Sequence, residues 1–311
     1  MAGPALCRAG SVRSKEDTMQ IASMTSMFYS SRGTKEKTTA VESIRRLKNA
    51  GFERIDLNLC GLSRNENEFC FDDWEDRAYE LKAEAEKIGV TFVQSHSPYW
   101  QNALAGNPGY EETFKSGLLR AVEVEHICGI SRTVAHAMTD PDAPGAPVAH
   151  HIEYTKKMHH AFLEKCREYG IRPAFENGSD VERKGKPFSR ACDLIMLTEA
   201  LKDYNAGICW DFGHANMTMD DQTADILQMK GRLICVHTHD NNGKYDAHVM
   251  PFIGTIAWEK IMPALRKAGF DNDLVLEVAQ NKNLPKDLQD DSARLCAEVT
   301  RRLVRFYEEN E

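Results

Sequence analysis

The chain has 311 residues, of which 28 % are charged and 42 % hydrophobic, and its 39 basic side chains against 47 acidic ones give a net charge of −8. This is the composition of a soluble globular protein with length for one large domain or two small ones. An acidic balance speaks against a protein that coats nucleic acid, whose phosphates draw on a basic surface, and no apolar stretch approaches the ~18–20 residues of a membrane span.

Residues 1–18 hold Arg8, Arg13 and Lys15 but no apolar core of signal-peptide length. They read as a disordered extension ahead of a single domain over 19–311. Short apolar runs then alternate with amphipathic stretches. The expected strands are 20–25, 53–59, 90–96, 131–136, 172–176, 206–211, 232–238 and 273–278. The expected helices are 37–50, 73–88, 110–128, 147–169, 188–203, 219–229, 256–268 and 286–308. Gly51, Gly89, Gly129, Gly170 and Gly269 stand where helices should end, a position at which glycine takes the left-handed conformation cheaply. Eight strand–helix units in this length fit an α/β fold, a single (β/α)8 TIM barrel. A doubly wound sheet would usually carry a glycine-rich loop after its first strand, and none is present. The nine cysteines are odd in number and include no CxxC pair. Reduced, buried thiols in a cytoplasmic protein are expected, not a disulfide framework.

Four apolar runs in the second half end on metal-compatible side chains: Arg172–Glu176, Gly207–Asp211, Leu233–His237 and Leu274–Glu277. The gaps between Glu176, Asp211, His237 and Glu277 are 35, 26 and 40 residues, each about one strand-plus-helix unit. A charged group at the end of a buried strand is costly unless something pairs it. One such residue is readily a strand end bonded to loop backbone, lysine or arginine. Four in series predict a ring of ligands at one end of a parallel barrel. Three carboxylates and one imidazole form an oxygen-rich set that suits Mn²⁺, Mg²⁺ or Co²⁺ better than a structural zinc site does.

A second tier surrounds that set. His96 and His136 end strands 3 and 4, His214 follows Asp211 by three residues, and Lys244, Asp246 and His248 lie after strand 7. Each is a candidate for substrate hydrogen bonding, acid–base work or further metal ligation. The polar segment 237–248, followed by Pro251 and Gly254, reads as a lid or clamp over the barrel mouth. Tyr99 and Trp100 could wall a sugar ring or simply pack. Arg183, Lys184 and Lys186 could meet a phosphate, although a solvated basic loop explains them as well. His150, His151, His159 and His160 fall in a polar helical stretch and are expected at the surface.

On these residues the chain resembles, over roughly 20–305, the xylose isomerase-like barrel superfamily, the group of sugar phosphate isomerases/epimerases and endonuclease IV-type apurinic endonucleases. In ketose 3-epimerases of this group the residues matching Glu176, Asp211, His237 and Glu277 bind one divalent metal, and those matching Glu176 and Glu277 are the acid/base pair. The resemblance therefore implies a metal-dependent sugar isomerase or epimerase, most simply with Mn²⁺, acting on a ketose by proton transfer through a metal-stabilised enediolate. The endonuclease branch implies more: His96, His136, Glu176, Asp211, His214, His237, Asp246, His248 and Glu277 match its nine ligands in order, for three Zn²⁺ ions. Three features turn back toward sugars. Gly254-Thr255-Ile256-Ala257-Trp258 is similar to the Gly-x-Ile-Asp-Trp stretch of the isomerase branch, with Ala257 departing at the Asp position. The loops after strands 1 and 2 look short for arms that penetrate a duplex, and the net charge offers no basic track. The metal-binding subunit of C-glycoside deglycosidases, which acts on a 3-oxo sugar beside a small β-rich partner, is a third relative, and a non-catalytic sugar-binding barrel is the non-enzymatic alternative. The implied partner is a small-molecule sugar, with a homo-oligomer or a β-rich subunit as protein partners, and neither nucleic acid nor membrane is expected.

Overall fold

A computed structural model describes residues 19–28, 38–279 and 284–309. The extension expected over 1–18 lies outside these residues, as do Cys7 and the start of the helix expected at 37. Eight parallel strands run in the order β7-β6-β5-β4-β3-β2-β1-β8. They are β1 (Ile21–Met24), β2 (Arg54–Asn58), β3 (Thr91–His96), β4 (Arg132–His136), β5 (Arg172–Glu176), β6 (Gly207–Asp211), β7 (Leu233–His237) and β8 (Leu274–Leu276). The sheet closes between β7 and β8 at one bridge, Thr238 to Leu276, where the Thr238 N–H donates to Val275 at 2.8 Å and the Glu277 N–H donates to Thr238 at 3.0 Å. This seam lies beside His237 and Glu277. Because β8 stops at Leu276, Glu277 stands one residue past the strand it was expected to close.

The helices α1 (Ala40–Ala50), α2 (Trp74–Ile88), α3 (Tyr110–Cys128), α4 (Val148–Tyr169), α5 (Ala191–Ala200), α6 (Phe212–Thr218), α7 (Thr223–Gln228), α8 (Trp258–Lys267) and α9 (Lys286–Glu308) cover the outside. Period-two alternation along the strands divides their side chains. Ile55, Leu57, Phe175, Ile208, Trp210, Val236 and Leu274 pack outward against the helices, whereas Val134, Ala174, Cys209 and Cys235 form a separate interior layer, which Ile234 joins because the β6–β7 register shifts there. The next inward positions toward the strand C-termini are His136, Glu176, Asp211 and His237. Register therefore carries these four to the C-terminal mouth, the end at which barrel enzymes place their chemistry. Irregularities between Ile55 and Asp56 on β2, and between Ile208 and Cys209 on β6, set Asp56 opposite Gln94 and Asp211 opposite His237.

Two expectations need correction. A short helix, α6, begins directly after β6, where no element was expected. Asp211 is its N-cap, its carboxylate accepting the His214 N–H at 2.6 Å. His151 and His159 are buried, not at the surface, because they lie on the face of α4 that also carries Ile152, Thr155, Phe162 and Cys166. His151 accepts the Asp140 N–H at 3.1 Å, and His159 donates to the Thr155 carbonyl at 3.2 Å. Burial pushes the His159 imidazole down to about 4. The eight described cysteines are free thiols. Among the described residues no helix is long and apolar enough to cross a membrane.

Glu125 of α3 is fully buried behind β3 and β4, and one of its oxygens accepts hydroxyl hydrogens from Ser95 and Thr133, each at 2.7 Å, and from Ser97 at 3.3 Å. Burial raises this carboxyl from 4.5 to about 7, against the lowering effect of those hydroxyls. A carboxyl that binds its proton more tightly when folded stabilises the fold fully below its unfolded value and loses that contribution as pH rises through the folded one. The Glu125→Gln variant, whose amide cannot ionise, should gain on wild type by on the order of 3 kcal/mol between pH 4.5 and pH 8. Urea melts across that range test it, and parallel pH profiles for the two proteins would contradict it.

Candidate active site at the barrel mouth

The strand ends gather the four expected side chains. Ligand-type atoms of Glu176, Asp211, His237 and Glu277 all lie within 4.8 Å of one another. His237 Nδ1 stands 3.4 Å from Glu176 Oε1 and 3.2 Å from Glu277 Oε2. Asp211 and His237 are fully buried and Glu176 nearly so. Glu176 Oε2 and His237 Nδ1 make no directed hydrogen bond despite these neighbours. Buried polar atoms are as a rule hydrogen-bonded, so groups crowded at such distances without bonding fit a shared cation better than a hydrogen-bond network.

Of the second tier, the structure brings five residues to the same place and leaves one out. His96 and His136 approach Glu176 Oε2 at 3.4 and 3.1 Å, and His214 approaches Glu176 Oε1 at 3.3 Å. Asp246 lies 3.3 Å from His214 and 3.1 Å from His248. Lys244 is exposed, and among the described residues its ammonium makes no ion pair or hydrogen bond. Tyr99 faces His136, with 5.2 Å between ring centroids, while Trp100 packs on Tyr110 and Phe114. The basic residues already have partners: Arg183 pairs with Asp220 after α6, Lys184 with Glu182, and Lys186 donates to the Ser179 carbonyl.

Several histidines are oriented from behind. Hydrogen bonding assigns the Nδ1 proton of His96 to the Ser97 carbonyl (2.8 Å), that of His214 to the Asn177 carbonyl (2.9 Å) and that of His248 to the Glu277 carbonyl (3.0 Å). Each then turns Nε2 into the cluster, the arrangement by which outer groups fix a ligating imidazole. His248 holds this pose at a φ of 44°, in the left-handed region where a side chain is disfavoured.

His239 belongs to the site although it was not picked out from the sequence. It is fully buried, its Nε2 lies 3.0 Å from Asp211 Oδ2, and its ring stacks on His248 at 3.8 Å. Any Cβ at Gly213 would sit 2.0 Å from the His239 ring, so only glycine fits there. Spacing gave one usable signal, since His239 follows His237 by two and shares its side of the chain. The loop that delivers Asp246 and His248 is pinned by buried Asp240. That carboxylate accepts N–H groups from Phe252 (3.1 Å), Ile256 (3.2 Å) and the Trp258 indole (2.9 Å). Ala257 starts α8 with no side-chain cap.

The electrostatics follow from this crowding. Burial opposes charge on His96, but Cys60, with its sulfur 3.2 Å from Nδ1, and Glu176 outweigh it and raise the imidazole well above its usual value. Burial is likewise outweighed at His214 by Asp211, Asp246 and Glu176, and at His237 by Cys209, Glu277 and Glu176. His248 is raised to about 9, burial there yielding to Glu277 and Asp246. Burial would raise Glu176, yet His136 and His237 hold it well below the usual carboxylate range. The mouth thus favours positive charge, as protons on imidazoles or as a bound cation. Its side chains form the groups Glu176-Asp211-His237-Glu277, His96-His136-Glu176, His96-His237-Glu277 and His214-His239-Asp246-His248.

Comparison with known proteins agrees with this architecture. An uncharacterized protein of Methanocaldococcus jannaschii, MJ1311, is 31 % identical over 124 residues, 39 % of this chain and 41 % of that protein. The uncharacterized protein y4fM of Sinorhizobium fredii is 30 % identical over 76 residues, 24 % of each chain. The chain thus spans less than half the length of either relative. Among solved structures, a D-tagatose 3-epimerase-like protein superposes with a TM-score of 0.71 at 18 % identity, covering 94 % of this chain and 99 % of that one. The D-psicose 3-epimerase of Clostridium cellulolyticum H10, solved with D-tagatose, gives 0.68 at 15 % over 92 % and 99 %. The 3-keto-D-glucoside 4-epimerase YcjR of E. coli gives 0.65 at 15 % over 91 % and 99 %. At these identities the likeness shows the fold. The family model described as xylose isomerase-like TIM barrel matches residues 44–298, and the chain belongs to that family.

Proposed function

We propose that the protein is a divalent-metal-dependent sugar isomerase or epimerase that moves a proton at the carbon next to the carbonyl of a ketose or related sugar. One observation carries this reading: Glu176, Asp211, His237 and Glu277 converge at the mouth, and the buried Glu176 Oε2 and His237 Nδ1 there make no directed hydrogen bond. The epimerase names of the structural neighbours support it. Three carboxylates and an imidazole suit manganese, magnesium or cobalt. When bound, such an ion supplies Lewis-acid polarisation of a substrate carbonyl and its neighbouring hydroxyl.

The chain's own residues do the rest. Glu176 and Glu277 flank His237, one on β5 and one past β8, so a sugar carbon between them meets a carboxylate on each side. One takes the proton, and the other returns a proton to the opposite face or to the adjacent carbon. His136, with a quarter of its side chain exposed, and His248, with a fifth, are the imidazoles most open to a substrate hydroxyl. The bridge between β7 and β8 holds the Glu277 backbone beside His237.

A second reading has one specific observation behind it. The groups His96-His136-Glu176, Glu176-Asp211-His237-Glu277 and His214-His239-Asp246-His248 adjoin one another, two of them through Glu176, as a polynuclear zinc hydrolase of the endonuclease IV type requires. The net charge of −8 opposes a nucleic-acid substrate.

Two measurements decide. Glu176→Gln keeps an oxygen donor and should melt close to wild type and retain metal, yet lose turnover on the best ketose of a screen by about 10²-fold or more. Retained turnover would overturn the acid/base assignment. Elemental analysis of protein purified without added metal should find about one equivalent of manganese, cobalt or magnesium, lost in Asp211→Ala. About three equivalents of zinc, with cleavage of an abasic-site duplex, would replace the sugar reading by the hydrolase.

A further inference from the structure

One buried carboxylate at the mouth is not accounted for by these roles. Asp56 of β2 is fully buried inside the barrel, and among the described residues no lysine or arginine pairs with it. Its Oδ2 accepts the Gln94 side-chain N–H at 2.7 Å and lies 3.4 Å from His237 Nε2, while its Oδ1 has no partner. Gln94 Nε2 and His237 Nε2 are 3.2 Å apart, a separation that serves either as a Gln94 donation to the ring or as two donors converging on Asp56. The irregular pairing of β2 with β3 is what sets Asp56 beside Gln94. An uncompensated carboxylate in a barrel interior is costly, and apolar residues fill the neighbouring layer.

We propose that Asp56 is the positioning residue for His237. By accepting the Nε2 proton it fixes the tautomer that leaves the Nδ1 lone pair facing Glu176 and Glu277, and it adds a negative charge behind the imidazole that strengthens it as a donor to a cation. Gln94 holds the carboxylate in place from β3. The other arrangement would have Gln94 donate to Nε2 and put the proton on Nδ1, which closes that nitrogen to a cation. A charged acceptor at Nε2 favours the first arrangement over the second. This inference rests on the metal-dependent reading of the mouth and adds to it a residue outside the ligand ring.

The test uses the full chain, stripped with a chelator and titrated with Co²⁺, whose visible absorption reports binding directly. Asp56→Ala should weaken Co²⁺ binding 10–100-fold. Asp56→Asn, whose amide oxygen still accepts the Nε2 proton, should restore much of that loss. Ring ¹⁵N shifts of the metal-free protein, assigned with His237→Ala and read at a pH high enough for that imidazole to be neutral, should show His237 protonated at Nε2 in wild type and a mixture of tautomers in Asp56→Ala. A purely structural role would move the melting temperature but neither the tautomer nor the rank of the two variants. Unchanged Co²⁺ affinity and unchanged ring shifts in Asp56→Ala overturn the proposal. If Asp56→Ala does not fold, Asp56→Leu, which fills the space without an acceptor, takes its place, and unchanged Co²⁺ affinity with unchanged ring shifts there overturns the proposal equally. Failure of the wild type to bind Co²⁺ at all would instead sink the metal reading of the mouth, and this inference with it.

Discussion

Carboxylates buried at strand ends must meet positive charge, and among the described residues imidazole is the only ion-pairing cation at this mouth. Among the described residues Glu176 pairs with histidines alone, and so do Asp211, Glu277 and the loop residue Asp246. A lysine or arginine would neutralise such a group permanently and fill the space with a long side chain. Histidine leaves the balance open, because its ring nitrogen can carry a proton or donate its lone pair to a metal ion. A mouth built this way attracts a cation and keeps room beside it for a substrate.

Other features of the site follow from keeping those rings aimed inward. Backbone carbonyls hold His96, His214 and His248 from behind, and the Asp56 carboxylate stands 3.4 Å behind His237. Asp211 serves twice, capping α6 with one oxygen and meeting His239 with the other. The close approach of His239 requires glycine at 213, and Asp240 pins the loop that brings Asp246 and His248 back over the strand ends. Gly254 is part of the same requirement, since a Cβ there would lie 2.1 Å from Asp240 Oδ1. These are costs in conformational freedom that packing alone does not demand.

Much of this was legible in the chain itself. Period-two strands and glycine-ended helices announced the barrel, and charged residues closing apolar runs announced the ring, because a polar group at the end of a buried run is conspicuous. Polar residues whose facing depends on tertiary packing are not legible in this way. Asp56 sits within Arg54-Ile55-Asp56-Leu57-Asn58, where a single acid looks like a solvated strand face. Alternation with the outward Ile55 and Leu57 turns it inward, but which face of the strand is the interior, and that Gln94 stands opposite through a shift in pairing, no local pattern encodes. His151 and His159 looked exposed because their helix is polar overall, yet they fall on its packed face. His239 was hidden in a dense polar loop, and α6 was hidden because Asp211 reads equally well as a strand end and as a helix cap.

The family supplies the barrel, but fold does not fix reaction, and what separates an isomerase or epimerase from a sugar-binding barrel is proton transfer at the mouth. The measurement that meets it most directly is solvent exchange: ketoses incubated in D₂O with metal-loaded protein and followed by proton NMR. Deuterium should enter at the carbon beside the carbonyl of at least one ketose, dependent on the metal and lost on chelation. A sugar that binds saturably to the metal-loaded protein while its protons stay in place would contradict it and leave a barrel that recognises sugar without turning it over.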